Sequence, residues 1–285
     1  MRHSFAVRIG PAGFRVGSAW RAPIVALEHL YRGYPRPPVP QFTVRLEPER
    51  PWRRFIRPSV AIRGDFMLPD ALPMALAHGL LAAEMAMNLQ LALGERRFLL
   101  LHAASVERGG RALILTGESG AGKSTLAALL SLRGWRLMGD EFALLDPKTG
   151  LLHAFPRPVS LKNASVAVVA AEAGAARMGP ALAGTPKGLI RHLIPDATAI
   201  ARMDEPARPA AILFPRFGHE TAIRAVGGAE AFVRLTQAST NYVALGEAGF
   251  AALTGLVAAA PAVAIDYPDT TAAIDLVERI AAELP

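Results

Sequence analysis

The stretch GESGAGKST, residues 117–125, combines the chemical groups that bind a chain of phosphates. Its glycines let successive backbone N–H groups point at one anion, Lys123 adds positive charge for the β and γ oxygens, and the Ser124 hydroxyl can hold Mg²⁺. The spacing Gly-x-x-x-x-Gly-Lys-Ser is that of a P-loop, which binds nucleoside triphosphates. The predicted nucleotide-binding residues are Gly117, Glu118, Ser119, Gly120, Ala121, Gly122, Lys123, Ser124 and Thr125.

A P-loop alone does not specify a reaction, because motors, GTP switches, ATPases and kinases all use it. An acid must complete the metal site, and the sequence offers two candidates. Asp266 follows the apolar run 262–265, which is the ordinary pattern of a metal-binding acid at a strand end. The pair Asp140-Glu141 follows Gly139, which lets the backbone approach a ligand closely. Paired acids can also divide metal binding from proton transfer, so both candidates stay open.

The loop requires a strand before it and a helix after it. The apolar run 112–115 predicts a buried strand, and residues 123–133 predict a helix that ends at Gly134. Residues 135–138 predict the next strand, and Gly109-Gly110 predicts a tight turn between the strands 98–101 and 112–115. Further strands are predicted at 142–145, 159–161, 210–214 and 262–265, and further helices at 166–175, 228–237, 247–259 and 270–283.

The first 68 residues differ in character from the rest of the chain. Short alternating runs at 5–9, 41–46 and 59–63, separated by Gly and Pro, predict strands of a small unit. Residues 70–94 then predict a helix, opened by Pro69-Asp70 and closed by Gly94. We therefore expect an α/β protein with a β-rich N-terminal unit at 1–68 and a P-loop domain at 69–285.

Composition and charge exclude several classes of function. The absence of cysteine rules out disulfides, thiolate nucleophiles and Cys-based metal sites, and fits a cytoplasmic protein. The net charge of +7 arises from 27 Arg and four Lys without interleaved aromatic residues, so we expect no nucleic-acid partner. No signal peptide is evident, and the apolar stretch 71–94 contains polar residues that a bilayer disfavours, so we expect no membrane segment. These polar residues are His78, Glu84, Asn88 and Gln90.

Three segments in register resemble the catalytic core of the HPr kinase/phosphorylase family. They are LHAASV at 101–106, LILTGESGAGKS at 113–124 and LRGWRLMGDE at 132–141. His102 stands 15 residues before Gly117, and Asp140 stands 23 residues after it, as the resemblance leads us to expect. The chain is similar in particular to the group called HPr-kinase-related kinase A. The resemblance implies a P-loop kinase core of the HPr kinase/PEP carboxykinase-like type, with a small β-rich N-terminal unit.

The resemblance also implies the cofactors ATP and Mg²⁺ and roles for individual residues. Lys123 and the loop backbone would hold the triphosphate. Mg²⁺ would be held by Ser124 and by Asp140 or Glu141. Asp140 would also accept the proton of an acceptor hydroxyl, and His102 would lie near the γ-phosphate.

The chain departs from the family at positions that bear on the substrate. Glu141 stands where the family has a second Asp, and Thr125 stands where an acid is common. The segment FPRPVSLKN at 155–163 is unlike the family's signature for HPr recognition. We therefore expect the acceptor to be a Ser or Thr hydroxyl of a peptide or protein other than HPr, delivered by a small protein similar to the PQQ-biosynthesis chaperone. The family's hexamers suggest a homo-oligomer.

Phosphoryl transfer needs positive charge at the γ-phosphate beyond the P-loop lysine. The candidates are Arg157, Lys162, Lys187, Arg191 and Arg216. Lys162 and Lys187 lead because lysine is scarce in this chain. Three other interpretations remain open. They are an ATPase or GTPase switch that drives assembly with Asp266 at its metal, a small-molecule kinase, and a degenerate nucleotide-binding scaffold.

Overall fold

The computed structural model describes residues 2–68 and 71–284, which form a mixed α/β fold with four β-sheets. None of the helices in this part of the chain has the length and hydropathy needed to cross a membrane. The helix opening predicted at Pro69-Asp70 falls outside the described residues.

The elements follow one another along the chain as strands with interspersed helices. The strands are β1 (His3–Ile9), β2 (Ala12–Ser18), β3 (Phe42–Pro48), β4 (Ser59–Gly64), β5 (Met74–Ala75), β6 (Leu99–Leu101), β7 (Ala103–Arg108), β8 (Arg111–Thr116), β9 (Arg136–Gly139), β10 (Ala143–Leu145), β11 (Leu152–His153), β12 (Val159–Lys162), β13 (Leu182–Thr185), β14 (Gly188–Leu193), β15 (Arg208–Phe217), β16 (Ala222–Val226) and β17 (Ala262–Tyr267). The helices are α1 (Arg21–Leu30), α2 (Gly79–Gly94), α3 (Lys123–Ser131), α4 (Ala164–Ala173), α5 (Ala197–Ala201), α6 (Gly228–Ala238), α7 (Tyr242–Leu245), α8 (Glu247–Ala259) and α9 (Thr270–Glu283).

The N-terminal residues form a five-stranded sheet in the order β1-β2-β3-β4-β5. Alternation along the strands buries Val7, Phe14 and Leu46 in a cluster with the apolar residues of α1 and α2. Leu100 of β6 and Leu144 of β10 belong to the same cluster. The N-terminal sheet therefore shares its core with the following part of the chain, and the boundary at residues 68 and 69 stays a prediction.

The predicted helix over residues 70–94 is wrong at its start. The helix α2 begins at Gly79, whereas β5 pairs with β4 and residues 76–78 form a 3-10 turn. Pro73 explains the difference, because it lacks a backbone N–H and disfavours the helical conformation of Leu72 before it. From residue 79 onward the helical prediction is confirmed, and Met87 and Leu91 of α2 are buried against the sheet.

The central sheet has the strand order β16-β17-β15-β8-β7-β9. β8, β15 and β17 are parallel, whereas β7 is antiparallel to β8 and β9 is antiparallel to β7. The turn at Gly109-Gly110 joins β8 to β7, and not to the predicted strand 98–101, because β6 pairs with β10 in a separate sheet. The carboxyl ends of β8, β9, β15 and β17 and the start of β7 therefore meet at one edge, which we call the loop edge.

The two faces of the central sheet pack against different helices. Leu115, Leu213 and Ile265 belong to one cluster with the apolar side chains of α3 and α9. Ile212 and Phe214, which alternate with Leu213 along β15, belong to another cluster with those of α6 and α8. Because alternate residues of a strand point to opposite faces, the parity of a residue's position decides which helices it can reach.

A buried ion pair joins β7 to β9 and so holds the loop edge in register. Arg136 Nε lies 2.5 Å from Glu107 Oε2, and both residues are at most 5% exposed. Burial alone would raise the pKa of Glu107, but hydrogen bonds from Arg136 and the Gly110 backbone hold it below its usual value. Arg136 also donates to the backbone oxygens of Arg202 and Glu205 at 2.7 and 3.0 Å, which ties β9 to the segment after α5.

Replacing Arg136 by Met should destabilise the protein strongly, because the buried Glu107 would lose its nearest cation and keep only Arg202 at 3.7 Å and the Gly110 N–H as partners. We expect a loss of about 3–5 kcal/mol in the free energy of unfolding, measured by urea denaturation. The matched control is Arg45→Met, which breaks the exposed pair Arg45–Glu47 and should cost under about 1 kcal/mol. Equal costs for the two variants would contradict the structural role of the buried pair.

Candidate functional site

The loop between β8 and α3 places a buried cation at its centre. Lys123 is the first residue of α3 and is 8% exposed. Its Nζ donates hydrogen bonds to the backbone oxygens of Gly117 and Glu118, at 2.7 and 2.8 Å, so the loop curls around the ammonium group. Burial lowers the pKa of Lys123. Within residues 2–68 and 71–284 it makes no ion pair, and an anion bound in the loop would supply the missing negative charge.

A hydrogen bond links the start of α3 to the end of β9. Ser124 Oγ donates to Asp140 Oδ1 at 2.8 Å, and the backbone N–H of Ser160 donates to Asp140 Oδ2 at 3.2 Å. Asp140 is 2% exposed, and its burial, together with the charge of Glu141, raises the pKa of its carboxyl to about 6. A hydroxyl and a carboxylate at this distance are oxygen ligands of the kind that Mg²⁺ takes.

The glycine before Asp140 serves the fold and not a ligand. A Cβ at Gly139 would lie 2.7 Å from the backbone oxygen of Phe142 and 3.3 Å from that of Phe155. The sequence predicts that the Gly139 backbone approaches a ligand closely. In the structure, the protein's own backbone makes this close approach. Glu141, two residues after Gly139, has a positive φ of 74°. The chain turns here, and the Asp140 side chain is buried.

His102 and Glu141 face each other at the entrance to the site. His102 lies between β6 and β7, and its Nδ1 is 3.2 Å from the backbone oxygen and 3.7 Å from a carboxylate oxygen of Glu141. Thr116, the residue before the loop, donates its hydroxyl proton to the backbone oxygen of His102 at 3.2 Å. Of the three predicted metal ligands, Ser124 and Asp140 thus bond each other, whereas the Glu141 side chain lies beside His102.

These groups border one pocket with a volume of about 350 Å³, within the range of small-molecule sites. Lys162 at the end of β12 and Lys187 between β13 and β14 also line it. The predicted site residues that line the pocket are His102, Ser119, Gly120, Gly122, Lys123, Ser124, Thr125, Asp140, Glu141, Lys162 and Lys187. Gly117 and Glu118 hold the Lys123 ammonium group through their backbone oxygens, and the Ala121 backbone oxygen bonds Tyr267.

The other predicted cations lie elsewhere. Arg157 is 3% exposed, and its guanidinium group bonds Glu84 and the Tyr31 hydroxyl within the core of the N-terminal sheet. Arg191 donates its Nε–H to the backbone oxygen of Gly179 at 2.7 Å and borders a different pocket. The structure therefore brings the two favoured lysines to the pocket beside the loop 117–122 and leaves Arg157 and Arg191 away from it.

The alternative acid Asp266 lies on the other face of the sheet. It alternates with Ile265 and Tyr267, which pack on the side of α3 and α9. Arg216 pairs with Asp266 through contacts of 2.6 and 3.0 Å, and the pKa of this carboxyl is held below its usual value by that bond. Asp140, and not Asp266, is the acid beside the Ser124 hydroxyl.

The pocket also has a side that the sequence analysis did not predict. Phe217 and Tyr267 end β15 and β17, and Thr270 and Ala273 lie in the first turn of α9. The predicted strands 210–214 and 262–265 lead directly to these aromatic residues, so the general rule that ligands bind at the carboxyl ends of parallel strands pointed to them.

The donor set fits one Mg²⁺ that is shared with a bound phosphate. The described residues contain no group of three or more His, Cys, Asp or Glu side chains that could hold a metal ion by themselves. Mg²⁺ is usually bound through one or two carboxylates together with substrate phosphates and waters. Ser124 and Asp140 would supply the protein's share of such a site, and the loop would supply the place for the phosphates.

Comparisons with known proteins add little to this geometry. No protein-family model and no curated protein matches the chain. Among solved structures, the chain is similar to an HPr(Ser) kinase/phosphatase from Coxiella burnetii, with 13% sequence identity and a TM-score of 0.29 over 65% of this chain and 98% of that chain. A TM-score this low supports no conclusion about a shared fold or function. The fold shown is mixed α/β, and the HPr-kinase type of core stays a prediction from the sequence.

Alanine at Gly122 should weaken nucleotide binding more than alanine at Gly120. Both residues have left-handed φ angles, 94° and 88°, which cost an alanine about 1 kcal/mol. At Gly122 the new Cβ would also lie 2.8 Å from the Tyr267 hydroxyl oxygen, whereas at Gly120 nothing lies within 4 Å. We expect isothermal titration with MgATP to show a loss of affinity of at least about tenfold for Gly122→Ala and about threefold for Gly120→Ala. Equal losses would show that the Tyr267 contact has no effect.

Proposed function

We propose that this protein is a Mg²⁺-dependent kinase that transfers the γ-phosphoryl group of ATP to a hydroxyl group. The observation that carries the proposal is the 2.8 Å hydrogen bond from the Ser124 hydroxyl to the buried carboxylate of Asp140. This pair lies directly beside Lys123, whose ammonium group has only backbone oxygens as partners in the described chain. A cation, a metal-binding pair and a glycine-rich loop within one pocket are the parts that phosphoryl transfer needs.

In this proposal each residue of the site has its own role in phosphate binding, metal binding or proton transfer. Lys123 and the loop N–H groups bind the phosphates, and Ser124 together with Asp140 or Glu141 holds the metal. Mg²⁺ neutralises the charge of the transferring group when it is bound. Asp140 accepts the proton of the acceptor hydroxyl, whose oxygen forms the new bond to the γ-phosphorus as the bond to the β-phosphate oxygen breaks.

The acceptor in this proposal is a Ser or Thr hydroxyl of a peptide or protein other than HPr. The three segments that resemble the HPr kinase family support the reaction, and the absence of the family's HPr-recognition signature supports a different substrate. Lys162 and Lys187 supply positive charge at the pocket for the transferring phosphate. A small protein similar to the PQQ-biosynthesis chaperone is proposed to deliver the peptide. The interpretation as a nucleotide-driven switch is weaker, because it requires Asp266, which lies on the opposite face of the sheet.

Asp140→Asn should abolish phosphoryl transfer, because it removes the proposed proton acceptor. We expect a loss of at least about 100-fold, measured with γ-labelled ATP and candidate Ser/Thr peptides and by the slow transfer to water. Asp266→Asn is the matched control, since both acids lie at strand ends of the same loop edge, and it should keep activity within about threefold. The opposite result, in which Asp266→Asn loses turnover and Asp140→Asn keeps it, would support the switch.

A further inference from the structure

Two sides of the pocket, on either side of the loop 117–122, differ in chemistry, and residues of β12 and α4, among them Lys162 and Val168, line it as well. His102, Asp140 and Glu141 lie on the side of β7 and β9. Phe217, at the end of β15, and Tyr267, at the end of β17, lie on the other side of β8. The charged side suits the metal and the acceptor, so the reacting end of the triphosphate belongs there. The opposite end of the nucleotide can then extend across the loop to the two aromatic rings.

Phe217 presents an aromatic ring at the point where the phosphate loop ends. Its side chain is 51% exposed, although it lines the pocket. Its ring packs against that of Tyr267 with centroids 6.1 Å apart and planes inclined by 65°. Tyr267 is 2% exposed, and its hydroxyl donates to the backbone oxygen of Ala121 at 3.3 Å. The buried ring of Tyr267 thus fixes Phe217 relative to the loop and leaves Phe217 free to contact a ligand.

The charged side chain next to Phe217 lies away from this part of the pocket. Arg216, the neighbour of Phe217, points to the opposite face of the sheet, where it pairs with Asp266. Thr270 and Ala273, in the first turn of α9, line the pocket as well. A planar, largely apolar group is the ligand that such a surface fits, because aromatic rings bind bases through their faces.

We propose that Phe217 and Tyr267 form a nucleobase subsite in which the base of the nucleoside triphosphate stacks on the ring of Phe217. This inference rests on the proposed function, in which the loop binds a nucleotide. The Tyr267 hydroxyl is committed to Ala121, whereas Thr270 is a side chain of the pocket that can donate a hydrogen bond to a base edge. Recognition through the face of the base is tolerant of its identity. The subsite therefore holds adenine and guanine with affinities within about threefold.

The test compares MgATP with inorganic magnesium tripolyphosphate, which has the phosphates and lacks the base. Isothermal titration should show that Phe217→Ala weakens MgATP binding about tenfold and leaves tripolyphosphate binding within about twofold. Phe217→Trp should retain MgATP binding, because it restores a stacking surface. The matched control is Phe250→Ala, which removes a ring of similar exposure, 52%, from α8 on the other face of the sheet and should change neither affinity.

The possible outcomes separate this inference from the proposed function. Failure of the unmodified protein to bind either ligand, or binding that survives Lys123→Ala, would overturn the proposed function. Normal tripolyphosphate binding with no effect of Phe217→Ala on MgATP would overturn the base subsite alone. Equal weakening of both ligands by Phe217→Ala would also overturn it, because the change would then act through the loop. A preference of more than about tenfold between ATP and GTP would overturn recognition through the face of the base.

Discussion

The site depends on one hydrogen bond, from the Ser124 hydroxyl to the Asp140 carboxylate. It joins the helix that follows the phosphate loop to a strand that is separated from the loop's own strand by β7. The bond can form only because β9 is antiparallel to β7, which brings the end of β9 to the edge where the loop begins. The buried pair Glu107–Arg136 maintains that register from within the sheet. The strands β7 and β9 therefore contribute both to the stability of the fold and to the geometry of the site.

Strand alternation decides which of two similar acids belongs to the site. Asp266 ends a purely apolar run next to the other parallel strands, which made it the better metal ligand by pattern. Asp266 lies two and four residues after Ala264 and Ala262 on β17, so its side chain is on the same face of the sheet as theirs. That face packs against α6 and α8. A shift of one residue along β17 would place Asp266 where Tyr267 now lies, and the site would then contain a second acid in place of one of its two aromatic rings. The chemistry of the pocket thus follows from the register of β17.

Much of the fold could be predicted from local pattern, and the errors arose where pairing is nonlocal. The bounds of α8 and α9 match the predicted helices, and the loop and α3 follow from the spacing around Lys123. No local signal shows that β6 leaves the central sheet for β10, because apolar runs of the same length suit either partner. Burial of Arg157 against Glu84, 73 residues away in sequence, is equally invisible in the sequence. The scarcity of lysine in the chain favours Lys162 and Lys187, and both line the pocket.

Lys123 and Asp140 have opposite charges and are both buried, and the charge of Asp140 acts to raise the pKa of Lys123, yet the two form no ion pair in the described chain. Each has other partners, the loop carbonyls for the ammonium group and Ser124 for the carboxylate. A direct pair would offset part of the free energy of burying two charges, which is several kcal/mol per ion. It would also occupy the space that the proposed function assigns to a phosphate and its metal ion. The loop geometry keeps the two charges apart. The free-energy cost of burying them is lowest when an anion and a cation lie between them.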